Sequence, residues 1–433
     1  MANSTDWLDP AFEAIAIDDD GRACSDIPES ACQDEAGNFF AHVTALSLSK
    51  SSDALIDPKL VLSWLIPAVG APAALVGLLV PIREAGALLP QMFTAEKLRQ
   101  LPKRKWAWTA GAIVQGLAAL AIAMSAVLLS GLAAGLAIVI ALAVLSLARS
   151  VCSVCYKDVL GKTVDKSRRG RATGLASSLA ASVAIGFAAI LYFGPADRFD
   201  VVVGALFAAG VIWISAGLVF TRLSEKAGAT EGGENAFQSA IDNLSYFKTE
   251  PQLRTFIVTR GLLTATAFAP PFMVALGSQG QSSPENLGLL VFSSALAALL
   301  SSFIWGSLAD RSSRRVLLLA SVIGAAALAG TVACSIFALI ENDYVMPVFL
   351  FVLMVSYQGV RLGRSTHLVD MANTETRAAF TALSNTAIGL VLLAGGAFSL
   401  IASMAGLEVT LAILTMMCGL ACWSAGQLEE VQE

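Results

Sequence analysis

Apolar stretches long enough to cross a bilayer recur from about residue 42 to about residue 425, separated by short polar turns. A hydrocarbon core of about 30 Å takes roughly 20 residues of helix. The pattern divides into twelve spans: 42–66, 72–95, 106–129, 132–155, 173–194, 200–221, 254–276, 286–306, 316–340, 345–361, 379–403 and 407–425. The first is the most polar, with Lys50, Asp53, Asp57 and Lys59 preceding the apolar run from Leu60 to Ile66; without it the count is eleven. The predicted fold is therefore all-α and polytopic.

Composition excludes a soluble domain. Hydrophobic residues make up 56% of the chain and charged residues 14%, and mean hydropathy is +0.70, more apolar surface than one core can hide. Basic residues then set the expected orientation, because cytoplasmic loops retain Lys and Arg. They crowd the even-to-odd loops: Lys97 to Lys105, Lys157 to Arg171, Arg222 to Arg254, Arg311 to Arg315 and Arg361 to Arg377. The opposite loops hold only Arg198. Both termini are thus expected inside, in a cytoplasmic (inner) membrane.

The polar segments divide the chain into an acidic N-terminal tail over 1–40, a six-helix bundle over 41–221, a linker over 222–253, a second bundle over 254–425 and a short tail over 426–433. The N-terminal tail lacks the basic and apolar regions of a signal peptide and is expected to be mostly disordered. In the linker, Phe237, Ile241, Leu244 and Phe247 recur at helical spacing, which predicts an amphipathic helix on the membrane surface.

The halves also repeat. Leu160-Gly161-Lys162-Thr163, followed by Val164-Asp165 and Arg171-Ala172, aligns with Leu362-Gly363-Arg364-Ser365, followed by Val369-Asp370 and Arg377-Ala378, once short gaps are allowed. The segment from Glu96 to Lys105 occupies the place after span 2 that Gly306 to Arg315 occupies after span 8. In folds built from such repeats the solute path runs between the halves near the midplane.

Two motifs carry a family resemblance. Gly306, Asp310, Arg311, Arg314 and Arg315 between spans 8 and 9 are similar to the cytoplasmic loop motif of the major facilitator superfamily. Arg168, Arg169, Gly170, Arg171 and Gly174 resemble its loop 4–5 signature. The resemblance implies two pseudo-symmetric six-helix bundles that move a small solute by alternating access, without ATP. It departs from the family at Glu96 and Gln100, where the first-half loop motif has Gly and Asp. For the second-half motif, Gly306 is expected to allow close helix approach, Asp310 to meet a helix end or a basic side chain, and the arginines to sit at anionic headgroups.

Charges inside spans mark pathways, since each costs roughly 2.5–3.5 kcal/mol at mid-membrane. Lys50, Asp53 and Asp57 are spaced to form one helical stripe, with Pro58 positioned to kink the helix just beyond. Arg83 and Glu84 point about 100° apart and need partners on other helices: Asp53 or Asp57 for Arg83, Lys50 or another donor for Glu84. Arg149 and Arg260 lie in the cytoplasmic third, where a long side chain can snorkel. Asp53 and Glu84 are the candidate proton carriers.

Other chemistry is not indicated. Gly161-Lys162-Thr163 has Tyr156 where a phosphate-binding loop needs Gly. Cys152 and Cys155 have too few histidines for a metal site, since only His42 and His367 exist, and Cys24 and Cys32 on a cytoplasmic tail predict no disulfide. No cofactor and no enzymatic constellation is expected. The predicted function is a proton-coupled secondary transporter, a permease for a small solute that leans anionic or zwitterionic. The alternative is a non-transporting scaffold, assembly factor or sensor on the same fold.

Overall fold

The computed structural model describes residues 12, 32–91, 94, 97–98, 100–228, 244–279, 286–372 and 376–432. Several side chains within helices, that of Asp310 among them, lie outside the description. The N-terminal half contains α1 (Glu35–Leu55), α2 (Val61–Ala68), α3 (Val76–Leu88), α4 (Lys105–Leu128), α5 (Gly131–Thr163), α6 (Lys166–Phe193) and α7 (Arg198–Phe220). After the short α8 (Leu244–Thr249), the C-terminal half contains α9 (Pro251–Leu262), α10 (Ala265–Gln279), α11 (Asn286–Arg311), α12 (Ser313–Ile336), α13 (Val345–Met371), α14 (Arg377–Ala394), α15 (Ala397–Ala405) and α16 (Leu407–Gly426).

Among the described residues, nine helices or joined helix pairs are long and apolar enough to cross a membrane. Their outward faces expose large apolar side chains, such as Ile140 at 65%, Phe193 at 81% and Met404 at 87%. Water would not tolerate such surface, and lipid welcomes it. The chain is an integral, multi-pass membrane protein.

Among the described residues, three passes are interrupted. α1 stops before Asp57-Pro58 because Pro58 has no N–H and disfavours helix at the residue before it. The Asp57 carbonyl then accepts from Val61 and Leu62 at 2.8 and 3.1 Å and starts α2. Between α9 and α10 the hydroxyls of Thr264 and Thr266 donate to the carbonyls of Gly261 and Leu263 at 2.6 and 2.8 Å, competing with the helical ladder. α14 breaks at Gly395-Gly396, where a Cβ on Gly395 would stand 2.1 Å from the Phe268 ring.

Several boundaries differ from the sequence reading. α5 runs to Thr163 and α6 starts at Lys166, so the expected basic loop 4–5 is two residues between long helices. α13 likewise runs to Met371, carrying Arg361 and Arg364 inside a helix. α1 begins at Glu35, within the stretch assigned to the tail; Glu35 is buried, pairs with Arg168 at 2.6 Å and accepts from the Asp165 amide at 2.8 Å. Cys32 is disulfide-bonded, contrary to an expectation drawn from compartment alone, whereas Cys152, Cys155, Cys334, Cys418 and Cys422 are free thiols. Most of the tail, and Phe237 and Ile241 of the expected linker helix, lie outside the described residues.

Candidate functional site

The interruptions of α1/α2 and α9/α10 fall at corresponding places in the two halves, and charged side chains gather around them. Asp53, two residues before the end of α1, takes one guanidinium on each carboxylate oxygen: Arg83 of α3 on Oδ1 and Arg149 of α5 on Oδ2. The expected Arg83–Asp53 pair forms. Arg149 does not snorkel; it turns inward, since 14 further residues of α5, about 21 Å at 1.5 Å each, separate it from that helix's end.

Lys50 donates to Ser177 of α6. Asp57 leaves the expected stripe, because the helix that would have carried it ends at Leu55; its carboxylate accepts from the Lys59 amide at 2.7 Å and shapes the break. Glu84 meets Lys59 at 3.8 Å rather than Lys50. The Lys59 ammonium also stands 3.6 Å from the centroid of the Tyr357 ring on α13, a cation–π contact that joins the halves. Arg260 stays buried at 7% exposure and does not snorkel: it donates to Ser384 Oγ at 2.8 Å and Asn385 Oδ1 at 3.0 Å, and its Nε has no partner.

A cavity of about 30 Å³ lies between the halves, bounded by Glu84 and Leu88 of α3 and, across the gap, by Arg260, Tyr357, Arg361 and Arg364. Arg361 and Arg364 were expected in a loop, and Tyr357 carries no charge that marks it in the sequence. Their spacing, four and seven residues on from Tyr357, was the available signal of a shared helix face.

The halves pack closely on the side away from the basic ends. There α2 meets α10 and α15 covers the turn before α3. At Gly288, a Cβ would stand 2.9 Å from the Tyr192 amide and 3.1 Å from the Ala188 carbonyl of α6. Toward the basic side, Ser177 and Arg361 are exposed.

The two motifs have different neighbours from those expected. A Cβ at Gly306, Gly170 or Gly174 would meet nothing within 4 Å, so none of these glycines marks a close helix approach here. Arg314 donates to the Gly426 carbonyl at 2.7 Å and ties off the end of α16 instead of facing headgroups; Arg311 and Arg315 are exposed. Arg169 caps α5 through the carbonyls of Val164 and Gly161 at 2.8 and 2.9 Å, and Arg171 is exposed on α6.

Solved structures of the same architecture include the nucleoside transporter NupG (12% identity, covering 90% of this chain and 99% of that one, TM-score 0.65). A D-xylose–proton symporter matches at 8% identity, 90% and 97% coverage and TM-score 0.68. An auto-inhibited POT family peptide transporter matches at 12% identity, 90% and 96% coverage and TM-score 0.60. No family model matches the chain, and no curated protein matches it by sequence. The chain has the fold of major facilitator superfamily transporters; at such identities the likeness concerns fold alone.

Proposed function

We propose that this protein is a secondary transporter that moves a small solute between the two bundles by alternating access, coupled to protons. The observation that carries the reading is the pair of interrupted helices, α1/α2 and α9/α10, flanking buried charge at the junction of the halves. Discontinuous helices of this kind free backbone groups for a solute while leaving the bundles rigid. The fold shared with a nucleoside transporter, a sugar–proton symporter and a peptide transporter supports it. On the charge-asymmetry reading both termini lie in the cytoplasm.

Glu84 is the better candidate proton carrier. Protonating Asp53 would sacrifice two charge-assisted bonds at once, whereas Glu84 has one ammonium at 3.8 Å and a side chain 32% exposed. The solute is anionic or zwitterionic: the N-terminal half nearly balances its cations with Asp53, Asp57 and Glu84, while Arg260, Arg361 and Arg364 of the other half have no ion-pair partner among the described residues.

The test is uptake into proteoliposomes challenged with pooled anionic, zwitterionic and neutral metabolites under an imposed pH gradient. At least one solute should accumulate, with accumulation abolished by a protonophore. Folded protein that moves none of them, in either orientation of the gradient, would return the chain to the scaffold class.

A further inference from the structure

The geometry points to an oxyanion subsite on the C-terminal half, formed by Arg260, Arg361 and Arg364, that holds the carboxylate or phosphate of an organic anion with an apolar body. This deepens the transport reading and rests on it for the claim that the bound anion is the cargo.

Three arginines line one cavity together with the Glu84 carboxylate, and among the described residues none of the three is within ion-pairing distance of a carboxylate. Arg361 donates to the neutral Gln358 Oε1 at 3.4 Å and lies 5.9 Å from the centroid of the Tyr357 ring, and neither contact supplies a counter-charge. Arg260 is more fully committed to the fold, but its buried Nε is left without an acceptor. A buried guanidinium nitrogen without a partner has lost its water and gained no bond in exchange, and an incoming oxygen acceptor would relieve it. Like charges do not gather without a counter-charge, and the nearest candidate, Glu84, belongs to the other half and is already engaged by Lys59 at 3.8 Å.

The guanidinium fork matches two-oxygen anions in a way that an ammonium does not. The rest of the lining is mainly apolar, with Leu88, Leu263, Val360, Ile388 and Leu392, alongside Thr264, Thr266 and the Glu84 carboxylate, and its apolar side suits the start of a hydrocarbon portion. The free space of about 30 Å³ admits a head group alone. The body must then extend along the gap between the halves toward the exposed side of Arg361.

The experiment is a thermal-shift and equilibrium-binding titration of the full-length purified protein with butyrate, benzoate and inorganic phosphate, against chloride at equal ionic strength. Benzoate or butyrate should stabilise the protein more than phosphate does. Arg361→Gln and Arg364→Gln should each weaken that binding at least tenfold without lowering the ligand-free melting temperature, because both side chains reach into the gap. Stronger stabilisation by phosphate than by either carboxylate would overturn the apolar-body assignment. No stabilisation beyond chloride, or stabilisation untouched by either variant, would overturn the subsite. Carboxylate binding with no flux in proteoliposomes would leave the subsite standing and remove the transport reading. Flux of a neutral solute with no oxyanion binding would do the reverse.

Discussion

Asp53→Asn and Glu84→Gln each remove one negative charge from the cluster around the α1/α2 break, and they should fail in opposite ways. Asp53 holds two arginines. Arg83 is 10% exposed, so stranding it costs on the scale of a broken buried pair, about 3–5 kcal/mol. Arg149 is 33% exposed and adds at most about 1 kcal/mol. Against a total stability of about 5–15 kcal/mol the loss is severe, and Asp53→Asn should appear as low yield and early melting in heated size-exclusion chromatography. Combining it with Arg83→Gln should recover part of the loss, because the stranded cation goes too. Glu84 is 32% exposed and 3.8 Å from Lys59, so its removal costs about 0–1 kcal/mol and the variant should fold. Its defect is in coupling. A pH gradient of one unit is worth about 1.36 kcal/mol per proton, which sustains roughly tenfold accumulation at one proton per solute; Glu84→Gln should reduce that ratio to unity while preserving downhill exchange. Tenfold accumulation by Glu84→Gln, or wild-type melting by Asp53→Asn, would refute the assignment of roles.

Three further outcomes are expected. Gly288→Val places side-chain atoms against backbone already within 3.1 Å of a Cβ, so the closed side must part, and labelling of Leu75→Cys from that side should rise severalfold. Unchanged labelling would mean that α11 absorbs the bulk. Glu225→Ala removes the carboxylate that accepts from the amides of Arg104 and Lys105 at 3.0 and 2.7 Å; it should cost about 2 kcal/mol, read as a lower melting temperature than that of Glu430→Ala. Lys103→Cys and Arg311→Cys should react with impermeant maleimide only after permeabilisation and Asp197→Cys in intact cells; labelling of Arg311→Cys from outside would invert the topology.

What the sequence made legible followed from costs that apply everywhere in a membrane. Uninterrupted apolar runs located α4, α7, α12 and α16 closely, and the need to compensate an embedded charge brought Arg83 to Asp53. The misplacements share one cause: hydropathy ends where charge begins, but a helix need not. α5 continues eight residues past the expected limit of 155 and α13 ten past 361. Arg149 therefore lies deeper than its distance from the apolar boundary suggested, and Arg361 and Arg364 were read as loop. The stripe of Lys50, Asp53 and Asp57 failed for the opposite reason, because Pro58 ends the helix that the periodicity extended through it.

The repeat is more regular in its bonds than in its letters. Arg169 reaches back eight and five residues to the carbonyls of Gly161 and Val164; Arg377 reaches back the same eight and five, to Val369 and Ala372 at 3.3 and 3.5 Å. The equivalent of Arg377 is thus Arg169 and not Arg171, two residues from the alignment by sequence. At the next helix ends, Lys105 ties the carbonyls of Thr221 and Leu223 after α7 as Arg314 ties Gly426 after α16. Glu225 accepts the first amides of α4, while Glu430 accepts from the Ser312 hydroxyl that caps α12 at the Arg315 amide. Each of these bonds stays within one half. They stiffen each bundle on its basic side and cost nothing when the bundles separate, so resistance to rocking falls on contacts that do cross, among them the packing around Gly288, α2 against α10, and Lys59 on Tyr357. The first two are apolar and reform wherever surfaces match, but the third joins the helix break to the face that carries Arg361 and Arg364. On the proposed subsite, an anion drawn to those arginines would arrive beside the Lys59–Tyr357 contact between the halves, which is where binding energy can be converted into motion.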